Sequence, residues 1–391
     1  MKRLIVCCDG TRNRLDAPYP TNVVKFAASV APQASDGTVQ TVCYVEGVGT
    51  GGAVARNVEK LWGGAFGKGL ERNIEDAYRF LIFNYEPGDE IFVIDFSRGA
   101  YTARSLVGLV RNCGILHRKD AAEVKQAMAL YRRRDEKSEP DADEACKFRY
   151  QWSPAIYLTD TELKWRRRQN DFDEASCIRL SFAYVGVWDT VGALGVPNHW
   201  AAAGLFNKQY KFHDHNLSST VRSARHAVAI DERRRIFEAT RWENLPSLND
   251  ARGLDPGGDF SYLEQWFPGD HGSVGGGGDN VGLSDGALDW IAEGARKAGL
   301  VFNNDQTAAI NALKPDHKAP LKNISNDRGF NVLSLASTKD RDGPQQISAV
   351  SKSAKARFCE ASENLPDNAA YRPGALKRVE HDLMNHCGAK L

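Results

Sequence analysis

The feature that most constrains the fold is a buried-strand pattern that runs directly into a serine and then into a helix, over residues Glu90–Arg104. In a nucleophile elbow, a tight turn strains the serine backbone and requires small neighbours, so that Oγ stands exposed at a sheet edge. Gly99 and Ala100 supply that room after Ser97. Asp95 occupies the first glycine position of the Gly-x-Ser-x-Gly pattern, so the motif is incomplete. Ser97 therefore fits either a catalytic serine or a buried serine that caps a helix.

Short apolar runs alternate with helix-like segments along the chain, and this alternation predicts an α/β fold with a mostly parallel sheet and helices on both faces. The length of 391 residues permits one large domain or two ordinary ones, and we interpret residues 1–391 as one domain. Residues 117–176 are predicted to form a charged helical insertion, and residues 300–391 to form loops and helices packed on the main body. The apolar runs are Leu4–Cys8, Val39–Val45, Ile91–Ile94, Leu180–Trp188 and Ala227–Ile230.

Composition excludes several classes of protein. Lys and Arg number 51 against 50 Asp and Glu, so the overall charge does not indicate a nucleic-acid partner. The eight cysteines include no Cys-x-x-Cys pair, and we interpret them as reduced core thiols with no metal site. No run reaches the roughly 20 apolar residues of a membrane span, and the first residues lack a signal-peptide apolar region. We therefore expect a protein that is cytoplasmic in the producing cell and meets lipid only at a surface.

An aspartate and a histidine follow further apolar runs, and a serine nucleophile needs both, a base to take its proton and a carboxylate to orient that base. Asp189 comes directly after an apolar run, where an acid points toward the carboxyl edge of a parallel sheet, although a turn or cap explains it equally well. His271 lies in a glycine-rich loop, which allows close backbone approach. The order Ser97, Asp189, His271 is that of α/β-hydrolases, so we predict that the three act together.

The oxyanion hole of such a site takes one backbone amide from the residue after the nucleophile and one from a loop after an early strand. The residue directly after Ser97 is Arg98. The second lies in the loop that begins Asp9-Gly10-Thr11, although this sequence also fits an ordinary Asp-Gly turn. We predict Arg98 and Thr11 as oxyanion donors, with Asp9 and Gly10 lining the site.

Together these segments resemble a bacterial and fungal family of α/β-hydrolase domains whose best understood members are phospholipase effectors of type VI secretion. The resemblance implies an α/β-hydrolase-like fold and hydrolysis of an acyl ester of a glycerophospholipid, without a cofactor. It implies Ser97 as nucleophile, His271 as general base and Asp189 as orienting acid. The resemblance spans most of the chain and rests on six ordered pieces, Cys8–Asn13, Thr21–Val23, Phe96–Arg104, Gly186–Gly192, Ala229–Arg234 with Trp242 after it, and Trp266–Gly277.

Two residues depart from the family pattern, since Asp95 stands where glycine is usual and Ser273 where aspartate is usual. A carboxylate at position 95 would crowd the elbow or place negative charge near the developing oxyanion, which slows acyl transfer. Asp231, after the last apolar run, is a rival for the orienting acid. Asp270 joins the candidate lining residues, and surplus carboxylates such as Asp270 and Asp9 leave ion binding open.

Three functions stand as alternatives at this point. The chain is a phospholipase, a hydrolase of small soluble esters with the charged insertion as a lid, or a non-hydrolytic protein that holds an anionic ligand with the glycine loop and Arg98. The resemblance implies a phospholipid or other ester as substrate, peripheral membrane contact, a secretion-apparatus or immunity partner, and delivery to a target cell. Nucleic acid is not expected as a partner.

Overall fold

The computed structural model describes residues 1–11, 13–48, 64–133, 135–191, 216–253, 261–323 and 338–388. Arg12 and Gly192, which belong to two of the six sequence pieces, lie outside these ranges. Strands and helices are numbered in chain order within them.

Six parallel strands form the central sheet, which confirms the fold class that the apolar runs predict. The strands are β1 (Arg3–Cys8), β2 (Gln40–Val45), β3 (Glu90–Phe96), β6 (Phe182–Trp188), β7 (Ala224–Ala229) and β8 (Tyr262–Phe267), while β4 (Ile156–Tyr157) and β5 (Ile178–Arg179) form a separate pair. Across the sheet their order is β2-β1-β3-β6-β7-β8. From β1 the chain passes to β2 on one side of it and then returns to β3 on its other side, so the carboxyl ends of β1 and β3 flank a crevice of the kind that binds ligands in α/β proteins.

Two strands differ from the apolar runs because polar residues are buried within them. β7 begins earlier than its run, since Arg225 and His226 are buried in the strand and paired with acids. Arg225 Nη1 lies 2.9 Å from Glu293 Oε2, and His226 Nδ1 lies 3.2 Å from Glu264 Oε2. β8 was not predicted, because Glu264 interrupts its apolar pattern. This strand leads directly to His271.

Helices cover both faces of the sheet, as predicted. Leu4 and Val6 of β1 join one core with the helices Gly64–Asn84 and Gly99–Cys113, because successive side chains of a strand point to opposite faces. Ile5 and Cys7 join a second core with the helices Asn22–Ser29 and Gly282–Lys297. No helix in the described ranges is both long and apolar enough to cross a bilayer. The helices are α1 (Asn22–Ser29), α2 (Gly64–Asn84), α3 (Gly99–Cys113), α4 (Val124–Arg132), α5 (Asp143–Trp152), α6 (Asp160–Arg166), α7 (Leu245–Arg252), α8 (His271–Gly275), α9 (Gly282–Lys297), α10 (Lys352–Cys359) and α11 (Glu380–Gly388).

Residues 117–176 contain α4, α5 and α6, and an ion cluster is buried among them. Glu162 Oε2 lies 2.9 Å from Arg149 Nε, and Glu162 Oε1 lies 2.8 Å from Arg166 Nη2. All three side chains are at most 1% exposed. Two cations around one carboxylate make this segment depend on Glu162, because a buried charge is tolerated only when it is paired.

The C-terminal residues 338–388 pack on the outer strands through a third apolar core. Val350, Phe358 and Leu383 are buried together with Trp266 of β8 and Val228 of β7. The C-terminal segment is therefore joined to the two strands that precede the histidine loop.

One pair of cysteines is oxidised, so the expectation that all eight are reduced thiols is wrong for this pair. Cys359 of α10 and Cys387 of α11 form a disulfide. They are 28 residues apart in sequence, but the packing of the two helices brings their Cα atoms to 5.3 Å. The other six cysteines are free.

Candidate active site

Ser97 lies at the turn between β3 and α3 in a left-handed backbone conformation, with φ of 61°. Such a φ strains a residue that has a side chain, at a typical cost of about 1–3 kcal/mol. The turn is held by the Ser97 amide, which donates to Trp188 O at 3.1 Å. A Cβ on Gly99 would lie 2.4 Å from Cys8 O, so only glycine lets α3 begin this close to the end of β1. The turn has the geometry that the sequence pattern predicts for an elbow.

The three residues predicted to act together form one hydrogen-bonded chain. Ser97 Oγ lies 2.7 Å from His271 Nε2, and His271 Nδ1 lies 2.6 Å from Asp189 Oδ2. A carboxylate accepts hydrogen bonds, so we assign the ring proton to Nδ1, which leaves Nε2 free to accept from the serine hydroxyl. All three residues are at least nine-tenths buried. The arrangement can move a proton from Ser97 to His271.

The imidazole of His271 is held between two aromatic rings. The rings of Phe96 and Phe237 each lie 4.7 Å from it, centroid to centroid. The His271 amide donates to Glu232 Oε2 at 3.3 Å. A Cβ on Gly275 would lie 2.0 Å from the Phe96 ring, so glycine at this position lets α8 pack against Phe96. These contacts fix the plane of the imidazole.

Asp189 is fully buried and carries more hydrogen bonds than the histidine alone provides. Its Oδ1 accepts from the Ala229 amide at 2.9 Å and from Arg341 Nη1 at 2.5 Å, and its Oδ2 accepts from Arg341 Nη2 at 3.0 Å. Burial alone raises the pKa of Asp189, but the Arg341 charge and the hydrogen bond with His271 outweigh it and hold that pKa well below its usual range. Asp189 is therefore a carboxylate at neutral pH. Sequence reasoning missed Arg341.

Asp9 organises the loop after β1. Its Oδ1 accepts from the Gly10 amide at 2.7 Å and from Asn13 Nδ2 at 2.9 Å, and its Oδ2 accepts from Thr21 Oγ1 at 2.6 Å and from Tyr44 OH at 2.8 Å. Burial raises the pKa of Asp9, and these hydrogen bonds oppose that effect in part. Protein groups thus occupy both oxygens of this carboxylate, which shapes the loop.

The loop after β1 packs against Ser97. A Cβ on Gly10 would lie 3.0 Å from Ser97 Cβ, so the backbone at Gly10 packs closely against Ser97. Thr11 follows it, and the Thr11 hydroxyl is buried without a hydrogen-bond partner in the described part of the chain. Thr11 therefore adjoins a residue that packs against Ser97, and Arg98 directly follows Ser97 in the chain.

Asp95 lies on the opposite face of β3 from Phe96, because neighbouring side chains of a strand alternate. It thus faces away from His271, on the side of α3. The side chain is fully buried, and neither carboxylate oxygen has a hydrogen-bond partner among the described residues. Burial raises the pKa of Asp95 well above its usual range, with Asp9 adding to the effect and Arg104 opposing it. The uncharged acid is therefore favoured at this position.

The remaining predicted acids do not contact the histidine ring. Asp231 Oδ2 accepts from the Gly269 amide at 2.7 Å and from Tyr371 OH at 2.8 Å, and the structure does not bring it to His271. Asp270 caps α8 by accepting from the Ser273 amide at 2.9 Å. Burial raises the pKa of both carboxyls.

The described ranges contain no group of three or more His, Cys, Asp or Glu side chains that could hold a metal ion. Ser273 is buried and donates its hydroxyl to Leu321 O at 2.9 Å. It serves the packing of the histidine loop onto the segment that follows α9.

The parallel sheet, its two helical layers and the elbow at its carboxyl edge define an α/β protein with a hydrolase-like fold. Residues 2–294 match the family model of the catalytic domain of Tle1-like phospholipase effectors of the type VI secretion system. The chain belongs to this family, which confirms the resemblance drawn from the six sequence pieces.

Individual relatives are more distant. An uncharacterized protein of Saccharomyces cerevisiae is 26% identical over 257 residues, which are 63% of this chain and 33% of the relative, so the chain spans about a third of that protein. An uncharacterized protein from Pseudomonas aeruginosa of known crystal structure is 16% identical, with a TM-score of 0.41 over 81% of this chain and 49% of that one. A Tle1 effector, solved bound to the VgrG spike of the type VI secretion system, is also 16% identical, with a TM-score of 0.34 over 70% of this chain and 51% of that one.

Proposed function

We propose that this protein is a serine hydrolase that cleaves carboxylic esters through Ser97, His271 and Asp189. The observation that carries the proposal is the continuous hydrogen-bonded chain from Ser97 Oγ through His271 to Asp189, with the serine on a strained elbow. Membership of a phospholipase effector family supports a lipolytic reaction. Asp189 is the orienting acid rather than Asp231, because Asp231 bonds to Gly269 and Tyr371 instead.

The reaction follows from this geometry. His271 Nε2 takes the proton of Ser97 as Oγ bonds to the ester carbonyl carbon, and the carbonyl oxygen becomes an oxyanion. The amides of Arg98 and Thr11 stabilise that oxyanion. The proton then passes from His271 to the leaving alcohol as the ester bond breaks, and a water molecule releases the acyl group from Ser97 by the same steps. Asp189 stays ionised and orients His271 throughout.

The substrate that fits best is an acyl ester of a glycerophospholipid, because the family is one of phospholipase effectors. We further propose delivery by a secretion system, with a component of that apparatus as partner. A hydrolase of small soluble esters is the alternative within the same mechanism. A charged Asp95 near the oxyanion would slow acyl transfer and so favour the non-hydrolytic alternative, but Asp95 is buried on the opposite face of β3 from Phe96, which argues against that effect.

A fluorophosphonate probe tests the nucleophile. The purified full-length chain is treated with the probe, and the intact mass is measured for wild type, Ser97→Ala and Ser105→Ala. Ser105 is a matched control, since it is also a buried serine, two turns further along α3. We expect one adduct on wild type and on Ser105→Ala, and none on Ser97→Ala. A folded wild type without an adduct, or an adduct that persists in Ser97→Ala, would overturn the assignment.

Lipid vesicles test the substrate. Phosphatidylcholine and phosphatidylglycerol vesicles are incubated with wild type and with Ser97→Ala, and products are identified by mass. Free fatty acid with lysophospholipid, absent with Ser97→Ala, is the expected result. Hydrolysis of short soluble esters without any action on vesicles would instead establish the small-ester alternative.

A further inference from the structure

We propose that Arg341 is a positioning residue of the active site. Its guanidinium holds the carboxylate of Asp189 in place and determines how much negative charge that carboxylate presents to His271. The inference rests on the proposed hydrolase function. Arg341 lies beyond the residues that match the family model, which end at residue 294. The segment after that point therefore supplies a part of the active site.

The contacts of Arg341 are those of a clamp on both carboxylate oxygens. Its Nη1 lies 2.5 Å from Asp189 Oδ1 and its Nη2 lies 3.0 Å from Asp189 Oδ2. The same two nitrogens donate to Ala229 O at 2.8 Å and to Phe237 O at 2.6 Å. Paired bonds from a planar guanidinium fix the plane of a carboxylate, which a single ammonium does not do. The Arg341 side chain is 7% exposed, so water has little access to compete for these hydrogen bonds.

Arg341 is itself held in place by the segment around it. The Lys339 amide donates to Arg233 O at 2.9 Å, and Arg233 Nε lies 2.8 Å from Asp340 Oδ1. On the other side, a Cβ on Gly343 would lie 1.7 Å from Ala375 O, so the backbone passes closely beneath the C-terminal core. These contacts, before and after Arg341 in the chain, keep its guanidinium at the carboxylate of Asp189.

Further charged groups in the described part of the chain surround this pair. Arg234 is the further cation that interacts with Asp189, and it is ion-paired with Glu232 at 2.6 Å. Glu232 acts on His271 in addition to Asp189, and Asp270 interacts with both Glu232 and Arg234. Since Arg234 is already neutralised by Glu232, Arg341 is the main source of positive charge at Asp189. Its loss would favour proton binding by the buried Asp189–His271 pair.

The test compares Arg341→Met, which removes the charge, with Arg341→Lys, which keeps it. Lys339→Met is the matched control, because Lys339 is a 61% exposed cation two residues away that pairs with Asp342. Hydrolysis of a short p-nitrophenyl ester is measured from about pH 5 to pH 9 with the full-length chain, and kcat and KM are separated. Folding of each variant is verified by circular dichroism.

We expect Arg341→Met to lower kcat about 10- to 100-fold, less than the roughly 10⁴-fold loss typical when a triad acid becomes an amide. KM stays unchanged, since Arg341 touches no substrate in the proposed mechanism. The acid limb of the kcat/KM profile moves to higher pH by about one unit or more in Arg341→Met and stays in place in Arg341→Lys. An unmoved limb in a folded Arg341→Met, or an equal shift in Lys339→Met, would overturn the proposal.

A measurement independent of catalysis separates this inference from the proposed function. The proton between His271 and Asp189 is followed by low-field proton NMR in a Ser97→Ala background, with and without Arg341→Met. A higher titration midpoint without Arg341 supports the clamp even if the chain cleaves no ester. An identical midpoint refutes it, whereas absent labelling and absent ester hydrolysis in wild type refute the hydrolase itself.

Discussion

Asp95 should reduce the stability of the folded protein at neutral pH. It is a fully buried carboxyl with no hydrogen-bond partner in the described ranges, and burial raises its pKa well above the usual range. A pKa that is higher in the folded state means that the native protein binds the proton more tightly than the unfolded chain does. The contribution of Asp95 to stability is therefore greatest below its unfolded-state pKa of about 3.9. That contribution is lost as pH rises toward the pKa of Asp95 in the folded protein.

The magnitude follows from two effects. An unsatisfied buried polar group costs about 1–3 kcal/mol, which Asp95→Leu should recover because leucine has a similar size and no polar atom. For each pH unit between the pKa of Asp95 in the unfolded chain and its pKa in the folded protein, wild type loses about 1.4 kcal/mol of unfolding free energy. Neither Asp95→Leu nor Asp95→Asn has this loss. Both variants should therefore gain on wild type as pH rises from about 4 toward the raised pKa of Asp95 in the folded protein.

Urea unfolding at a series of pH values measures this difference. Asp36→Asn is a control of opposite sign, because Asp36 is exposed and accepts a hydrogen bond from the Thr38 amide, which lowers the pKa of Asp36. That variant should lose stability relative to wild type as the carboxylate ionises. If the free energy of unfolding of Asp95→Asn and of wild type differed by the same amount at every pH, Asp95 would titrate normally and the reasoning would be wrong.

Two further predictions concern stability. Glu162→Gln should lower the free energy of unfolding by about 3–5 kcal/mol, because two buried cations lose their shared anion. Urea unfolding measures this loss. A loss no larger than that of Glu174→Gln, which changes an exposed ion pair, would contradict the prediction. Replacing Cys359 and Cys387 with serine should cost about 3–4 kcal/mol for a loop of 28 residues. Reductant should lower the melting temperature of wild type and leave that of the double variant unchanged; equal sensitivity would show that the disulfide contributes nothing.

The parts of the fold that sequence reasoning predicted are those that depend on local pattern. β1 and β3 are continuous apolar runs because both of their faces are covered by helices, and such runs are visible in the sequence. Ser97 was found for a related reason, since the elbow needs small residues directly beside it. Asp189 and His271 were found because each stands where a strand or a glycine loop reaches the carboxyl edge of the sheet.

The parts that sequence reasoning missed depend on distant partners. Within β8, Glu264 is ion-paired with His226 and Arg241, so the sequence of this strand does not look apolar. Arg341 lies in a polar stretch whose sequence carries no sign of a partner 152 positions earlier. The partners Cys359 and Cys387 likewise became evident only from helix packing.

The position of Arg341 has a consequence for the order in which the protein is made. The ribosome synthesises residues 1–294 first, and these contain every strand of the central sheet in the described ranges together with Ser97, Asp189 and His271. The guanidinium that clamps Asp189 is made only afterwards, with the segment of residues 338–388 that packs against β8. Under the proposed hydrolase function, the active site would thus remain incomplete until residue 341 has been synthesised.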